Sequence, residues 1–156
     1  MKVERHISAA LGYIKLGMME EAIEELDGIE PAQRSHPEVL AVWVEVYASA
    51  GKWREMQRVA LHLTTIQPTN AQWWIHLAFA TRCVESIPAA REILIQAEKH
   101  HPDEPTIQFN LGCYACKMGE IATAKAYVLR SIQRIKGFRE LALSDTDLKP
   151  IWNELV

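Results

Sequence analysis

The sequence has few of the residues that break helices or form tight hairpins. Glycine and proline number only seven each in 156 residues. The chain shows no β-alternation, no hairpin dipeptide and no glycine-rich loop, so neither a β-sheet protein nor a parallel sheet with a nucleotide pocket is indicated. Apolar residues instead recur at helical spacing, as at Ala90, Ile93, Leu94 and Ala97. The sequence therefore predicts an all-α protein.

Long apolar runs and an even set of cysteines are also missing. No apolar run approaches the roughly 18 residues that span a bilayer, and the opening MKVERHIS lacks the apolar stretch of a secretory signal. Three cysteines, an odd number, do not make a disulfide framework. We therefore expect a cytoplasmic protein with reduced thiols and no membrane contact.

The charge balance argues against nucleic acid as a partner. Twenty acidic residues against 17 basic ones give a net charge of −3, and the basic residues do not form a stripe interleaved with aromatics. Residues 20–27 carry an acidic run, whereas residues 105–138 carry a basic surplus. A solvated convex face is one interpretation of these runs. A head-to-tail contact, or an acidic patch on a partner, is the other.

A repeat of 34 residues organises the chain. Gly17, Gly51 and Gly119 are separated by 34 residues and by twice 34. Cutting at this interval gives four contiguous units, 3–36, 37–70, 71–104 and 105–138, and leaves a tail at 139–156. Each unit is predicted to contain two helices joined by a tight turn, which glycine closes in three of the four.

The pattern within the units resembles the tetratricopeptide repeat (TPR) family. The third unit carries the family's sequence of large, small and proline positions most completely, at Trp74, Leu77, Ala78, Ala90, Leu94, Ala97 and Pro102. The resemblance implies a right-handed α-solenoid of four helix-turn-helix units. It also implies a concave surface, lined by the first helices, that binds a protein or peptide.

The tail is interpreted as a capping segment. Gly137 is expected to end the last repeat helix, and a further helix is predicted at about 146–155. Its apolar stripe consists of Leu148, Ile151, Trp152 and Leu155. Sealing the fourth unit is the first interpretation of this stripe, and a swapped or dimerising helix is the second. A monomer is the favoured oligomeric state.

Carried over by register, the resemblance assigns a peptide-binding groove. Its members are Ile7, Leu11, Ile14, Glu45, Ile75, Phe79, Arg82, Phe109, Cys113 and Lys117. Phe79 and Phe109 are expected to act as apolar anchors, and Arg82 and Lys117 are available for a carboxylate. Alternatively, the C-terminal helix or strong curvature buries part of this groove.

The cysteines admit a second class of function. Cys113 and Cys116 form a CxxC pair that falls in mid-helix, and Cys83 lies on the neighbouring first helix. Packing of small residues, a shared soft metal and redox chemistry are the three interpretations. The six histidines form no HExxH motif, and no catalytic triad or carboxylate pair can be argued.

These features predict a non-catalytic adaptor without a cofactor, which binds an apolar peptide or helix of a partner protein in its groove. One alternative is a client-specific chaperone that shields an apolar segment, as the TPR-like secretion chaperones do. The alternative from another class is a metal- or thiol-dependent protein that uses Cys83, Cys113 and Cys116.

Overall fold

A computed structural model describes residues 2–156, and its regular structure within that range is helical throughout, without strands. The predicted all-α class is therefore confirmed. The chain divides into two compact units, of which the first ends at Ala80 and the second is Thr81–Val156. Helix α5 contributes residues 71–80 to the N-terminal unit and 81–84 to the C-terminal unit. Within the described range, no helix combines the length and the apolar character that a bilayer span requires.

The N-terminal unit is a succession of helical hairpins. Its elements are α1 (Val3–Lys15), α2 (Met19–Asp27), a 3-10 helix (Pro31–Gln33), α3 (Pro37–Ser49), α4 (Trp53–Ile66) and the first part of α5 (Ala71–Val84).

The C-terminal unit continues the same pattern and then departs from it. Its remaining elements are α6 (Ile87–His100), α7 (Pro105–Lys117), α8 (Ile121–Arg134), α9 (Phe138–Ser144) and a C-terminal 3-10 helix (Thr146–Glu154).

The three glycines of the 34-residue series close three hairpins in the same way. Their φ angles are positive, at 74° for Gly17, 69° for Gly51 and 80° for Gly119. The residue after each glycine donates its N–H to the carbonyl five residues earlier, from Met18 to Tyr13 (2.9 Å), Lys52 to Tyr47 (2.8 Å) and Glu120 to Ala115 (2.9 Å). This is the Schellman pattern, which glycine adopts without a steric penalty. Between α5 and α6 there is no glycine, and the Ser86 hydroxyl instead caps α6 by accepting the Ala89 N–H at 3.1 Å.

Small side chains let the paired helices approach closely. Ala10 on α1 and Ala22 on α2 are fully buried in the cluster that joins α1, α2 and α3. In the C-terminal unit, a Cβ atom added to Gly112 of α7 would lie 2.6 Å from Cγ2 of Val128 on α8. The contact between α7 and α8 therefore depends on the absence of a side chain at Gly112.

The end of the chain differs from the sequence-based expectation. Helix α8 ends at Arg134, three residues before Gly137, and Ile135 is already extended. Gly137, with φ of −59°, precedes the additional helix α9 instead of ending α8. A 3-10 helix occupies the place where a C-terminal helix was predicted, and it includes Pro150. Since proline has no N–H to donate, regular α-helical bonding cannot run through that position.

Candidate functional site

Helix α1 presents an apolar stripe in the N-terminal unit. Ile7, Leu11 and Ile14 are spaced four and three residues apart, which places them on one side of the helix. All three are half-buried, because they pack on the cluster that contains Val42 and Val46 of α3. Their accessible parts form one edge of the candidate surface.

Helix α3 contributes a carboxylate between two alanines. Glu45 lies mid-helix and is exposed, whereas Ala41 and Ala48, about one turn before and after it, are half-buried. Among residues 2–156, the ion pairs do not involve Glu45. The middle of this helix therefore offers small side chains and one unpaired negative charge.

The part of α5 that belongs to the N-terminal unit supplies an aromatic ring. Phe79 is 45% exposed, and the edge of its ring contacts Trp53, with centroids 5.4 Å apart. Trp53 and Ala48 pack on the same cluster as the buried Ala80. Ile75, which the sequence placed in the groove, is buried and contributes little accessible surface.

We call the accessible surface on these three helices the N-terminal face. It consists of Ile7, Leu11, Ile14, Ala41, Glu45, Ala48 and Phe79.

Arg82 is engaged within the C-terminal unit. Its Nη1 donates to Oδ2 of Asp147 at 2.7 Å, and its guanidinium lies 5.7 Å from the centroid of the Tyr114 ring. The hydrogen bond to Asp147 raises the pKa of Arg82, while burial acts in the opposite direction. The sequence analysis proposed that Arg82 binds a carboxylate of a partner. In the structure, Arg82 is already paired with the carboxylate of Asp147.

The side of α7 that the sequence assigned to the groove is covered. Phe109 is 4% exposed, and its ring lies 5.3 Å from that of Phe138 on α9. Cys113 is buried as well, with its Sγ 3.7 Å from Oδ2 of Asp145. Lys117, at the end of α7, stays exposed. Phe109 and Cys113 are therefore not exposed anchors, because residues after α8 pack against them.

The covering segment, residues 138–156, is firmly seated. Leu148, Ile151 and Leu155 are all buried, and the 3-10 helix that carries the first two packs against α7. Nη1 of Arg139 donates to the Leu155 carbonyl at 2.6 Å. The predicted apolar stripe is therefore buried, and the segment that carries it packs against α7, the first helix of the last predicted unit.

Comparison with solved structures identifies the fold. The crystal structure of MamA matches with a TM-score of 0.74 at 17% identity, over 99% of this chain and 89% of that chain. TTC0263, a thermophilic TPR protein in Thermus thermophilus, matches with a TM-score of 0.73 at 14% identity, over 97% of this chain and 82% of that chain. The chain has the TPR fold. The resemblance seen in the sequence is confirmed at this level, while no protein-family model and no curated protein matches the sequence.

The three cysteines do not form a metal site within the described residues. Cys83 is exposed, whereas Cys113 and Cys116 are buried. Across residues 2–156, no three His, Cys, Asp or Glu side chains are grouped so as to hold a metal ion. Burial raises the pKa of both Cys113 and Cys116, which disfavours the reactive thiolate. The alternative of a metal shared by the three cysteines is therefore not supported.

The predicted groove residues differ in their exposure. Ile7, Leu11, Ile14, Glu45 and Phe79 belong to the N-terminal face, Ile75 is buried, Arg82 pairs with Asp147, Lys117 is exposed, and Phe109 and Cys113 lie beneath the C-terminal segment. Sequence reasoning missed α9, whose Phe138 completes that cover. The signal that could have revealed it is the helical spacing of Phe138 and Ala142, directly after Gly137.

Proposed function

We propose that the chain is a non-catalytic protein-interaction adaptor whose partner places an apolar segment on the N-terminal face. The TPR fold of the structural neighbours supports protein interaction in general. The choice of this face rests on the contrast between two phenylalanines. Phe79 remains half-exposed, whereas Phe109 is covered by the chain itself.

The size of the accessible apolar surface supports a reversible complex. Full burial of a large apolar side chain is favourable by about 1.5–3 kcal/mol, so the exposed portion of Phe79 corresponds to about 1 kcal/mol. The half-buried Ile7, Leu11 and Ile14 add comparable or smaller amounts. Ordering the partner segment opposes this gain. A moderate affinity, suited to an adaptor that exchanges partners, is the expected result.

The chemistry of the reactive side chains supports a role without catalysis. The buried thiols of Cys113 and Cys116 have raised pKa values, and burial lowers the pKa of His76, which keeps its ring neutral at pH 7. None of these groups belongs to the N-terminal face. Of the seven residues that define that face, Glu45 is the one with a polar side chain.

Peptide selection on the full chain tests this proposal. Random peptides displayed on phage are selected on the immobilised protein, and the enriched sequences are measured as fluorescent peptides by anisotropy. The variant Phe79→Glu places a charge on the N-terminal face. Leu61→Glu is the matched control, because Leu61 is 55% exposed on α4 and lies outside that face.

The proposal predicts apolar peptides whose affinity falls at least about tenfold in Phe79→Glu, as expected for an aromatic anchor. The Leu61→Glu control should bind as the natural sequence does. Equal affinity for all three proteins, or no enriched peptide, would contradict the proposal.

A further inference from the structure

We propose that the partner segment carries a lysine or arginine between apolar residues, and that Glu45 pairs with this cation. The inference rests on the proposed function, since it specifies the ligand of the N-terminal face. It concerns the chemistry of the ligand, so it can fail while the binding role itself holds.

Glu45 lies well inside α3, away from the N-terminus of the helix. Glu4 and Glu38, the acidic residues in the first turns of α1 and α3, are accounted for by the favourable interaction of a carboxylate with a helix N-terminus. Glu45 lies two turns farther along α3, where that interaction has faded. It is exposed and has no ion-pair partner within residues 2–156. The fold therefore leaves the charge of Glu45 uncompensated.

The side chains around Glu45 suit a long basic residue. Ala41 and Ala48, about one turn before and after the carboxylate, are small and partly accessible. The aliphatic stem of a lysine or arginine can pack on such a surface while its charged group reaches a carboxylate. Aspartate or glutamate in the ligand would meet a like charge there.

The apolar borders of the N-terminal face set the pattern of the ligand. Leu11 and Ile14 pack on the cluster that contains Val46, the residue after Glu45. On the other side, Ala48 and Trp53 pack on the cluster that contains Val44 and Ala80, and the Phe79 ring contacts Trp53. Glu45 thus lies between Val44, whose cluster includes Ala80 of α5, and Val46, whose cluster includes Ala10 of α1. A basic residue with apolar residues before and after it matches this arrangement.

The overall charge of the first-helix surfaces in this unit favours the same ligand. Glu4, Glu38 and Glu45 are exposed there against the basic Arg5 and Lys15 of α1, so the two helices together carry one net negative charge. Such a surface attracts a cationic segment and repels an anionic one, which contributes specificity more than affinity. The accessible surface of α1 and α3 thus combines apolar side chains with a net negative charge.

The test uses three fluorescent peptides of one selected sequence, with lysine, glutamine or glutamate at a single central position. Their affinities are measured by anisotropy for the full chain, for Glu45→Lys and for Glu24→Lys. Glu24 is exposed on α2, outside the N-terminal face, so it controls for the change in net charge. Folding of each variant is verified by circular dichroism.

We expect the lysine peptide to bind the natural chain at least about fivefold more tightly than the glutamate peptide, as one partly exposed charge pair allows. Glu45→Lys should reverse this order, whereas Glu24→Lys should preserve it. If the peptides bind with Phe79-dependent affinity but in the same order to Glu45→Lys, the charge pairing is wrong and the adaptor role stands. If no peptide binding depends on Phe79, both ideas are wrong.

Discussion

Arg82 and Asp147 form a salt bridge with an N to O distance of 2.7 Å, although 65 residues separate them along the chain. Asp147 belongs to the segment that covers α7. The bridge therefore holds that segment over residues that the sequence assigned to a groove, which is the alternative in which the C-terminal segment buries part of it.

Loss of this salt bridge should loosen the cover over α7. For Asp147→Asn, we expect about 1 kcal/mol of lost stability in the segment, because the pair is partly exposed, which is a roughly fivefold rise in opening. Cys113 and Cys116 should then react faster with iodoacetamide. The exposed Cys83 serves as the internal reference for the reagent.

Mass spectrometry of each cysteine-containing peptide over time measures this effect. Unchanged protection of Cys113 in Asp147→Asn would show that the salt bridge does not hold the segment.

Phe109 and Phe79 should respond differently to the same substitution. Phe109→Glu buries a charge in a packed interior, so we expect the free energy of unfolding to fall by more than about 3 kcal/mol. Phe79→Glu alters a half-exposed ring, and a loss below about 1 kcal/mol is expected. Urea unfolding followed by circular dichroism compares the two. Similar losses would mean that Phe109 is not covered.

Replacement by alanine should have opposite effects at Gly112, which packs against α8, and at Gly12, which has open space around it. Gly112→Ala forces a Cβ to within 2.6 Å of Val128, and a loss of about 1–3 kcal/mol is expected. Gly12→Ala meets no atom within 4 Å in the interior of α1, so a gain of about 0.5–1 kcal/mol is expected. Thermal unfolding of both variants measures these changes. A stabilising Gly112→Ala would contradict the packing.

Acid should weaken the chain through His76. Burial lowers the pKa of this side chain in the folded state below 6.5, its ordinary value. The unfolded chain therefore takes up the proton first, and the stability present above pH 6.5 is lost as the pH falls through and below that value. Unfolding free energies measured from neutral to acidic pH should decline less steeply in His76→Gln. The exposed His62→Gln is the control, and an unchanged slope in His76→Gln would exclude this cause.

The repeat architecture was predictable because it depends on residues that are close to one another in the sequence. A left-handed turn requires glycine at Gly17, Gly51 and Gly119, and a 34-residue spacing is visible without coordinates. Close helix pairs require small residues, as at Ala10, Ala22 and Gly112. These demands act within one hairpin, so the sequence carries them directly.

The exposure of the groove residues could not be predicted in the same way. Phe79 and Phe109 are both phenylalanines on first helices, and local pattern does not distinguish them. The burial of Phe109 depends on Phe138, which is 29 residues away, and on how the chain turns after Arg134. Such long-range packing is decided by the fit of the whole C-terminal segment and not by any spacing within a repeat.

Methyl NMR of the full chain tests the central claim most directly. Isoleucine and leucine methyl groups are observed during titration with a selected apolar peptide. If the partner binds the N-terminal face, saturable shifts are expected for Ile7, Leu11 and Ile14, with little change at Leu148 and Ile151. Shifts confined to Leu148 and Ile151, with none on α1, would contradict binding at that face.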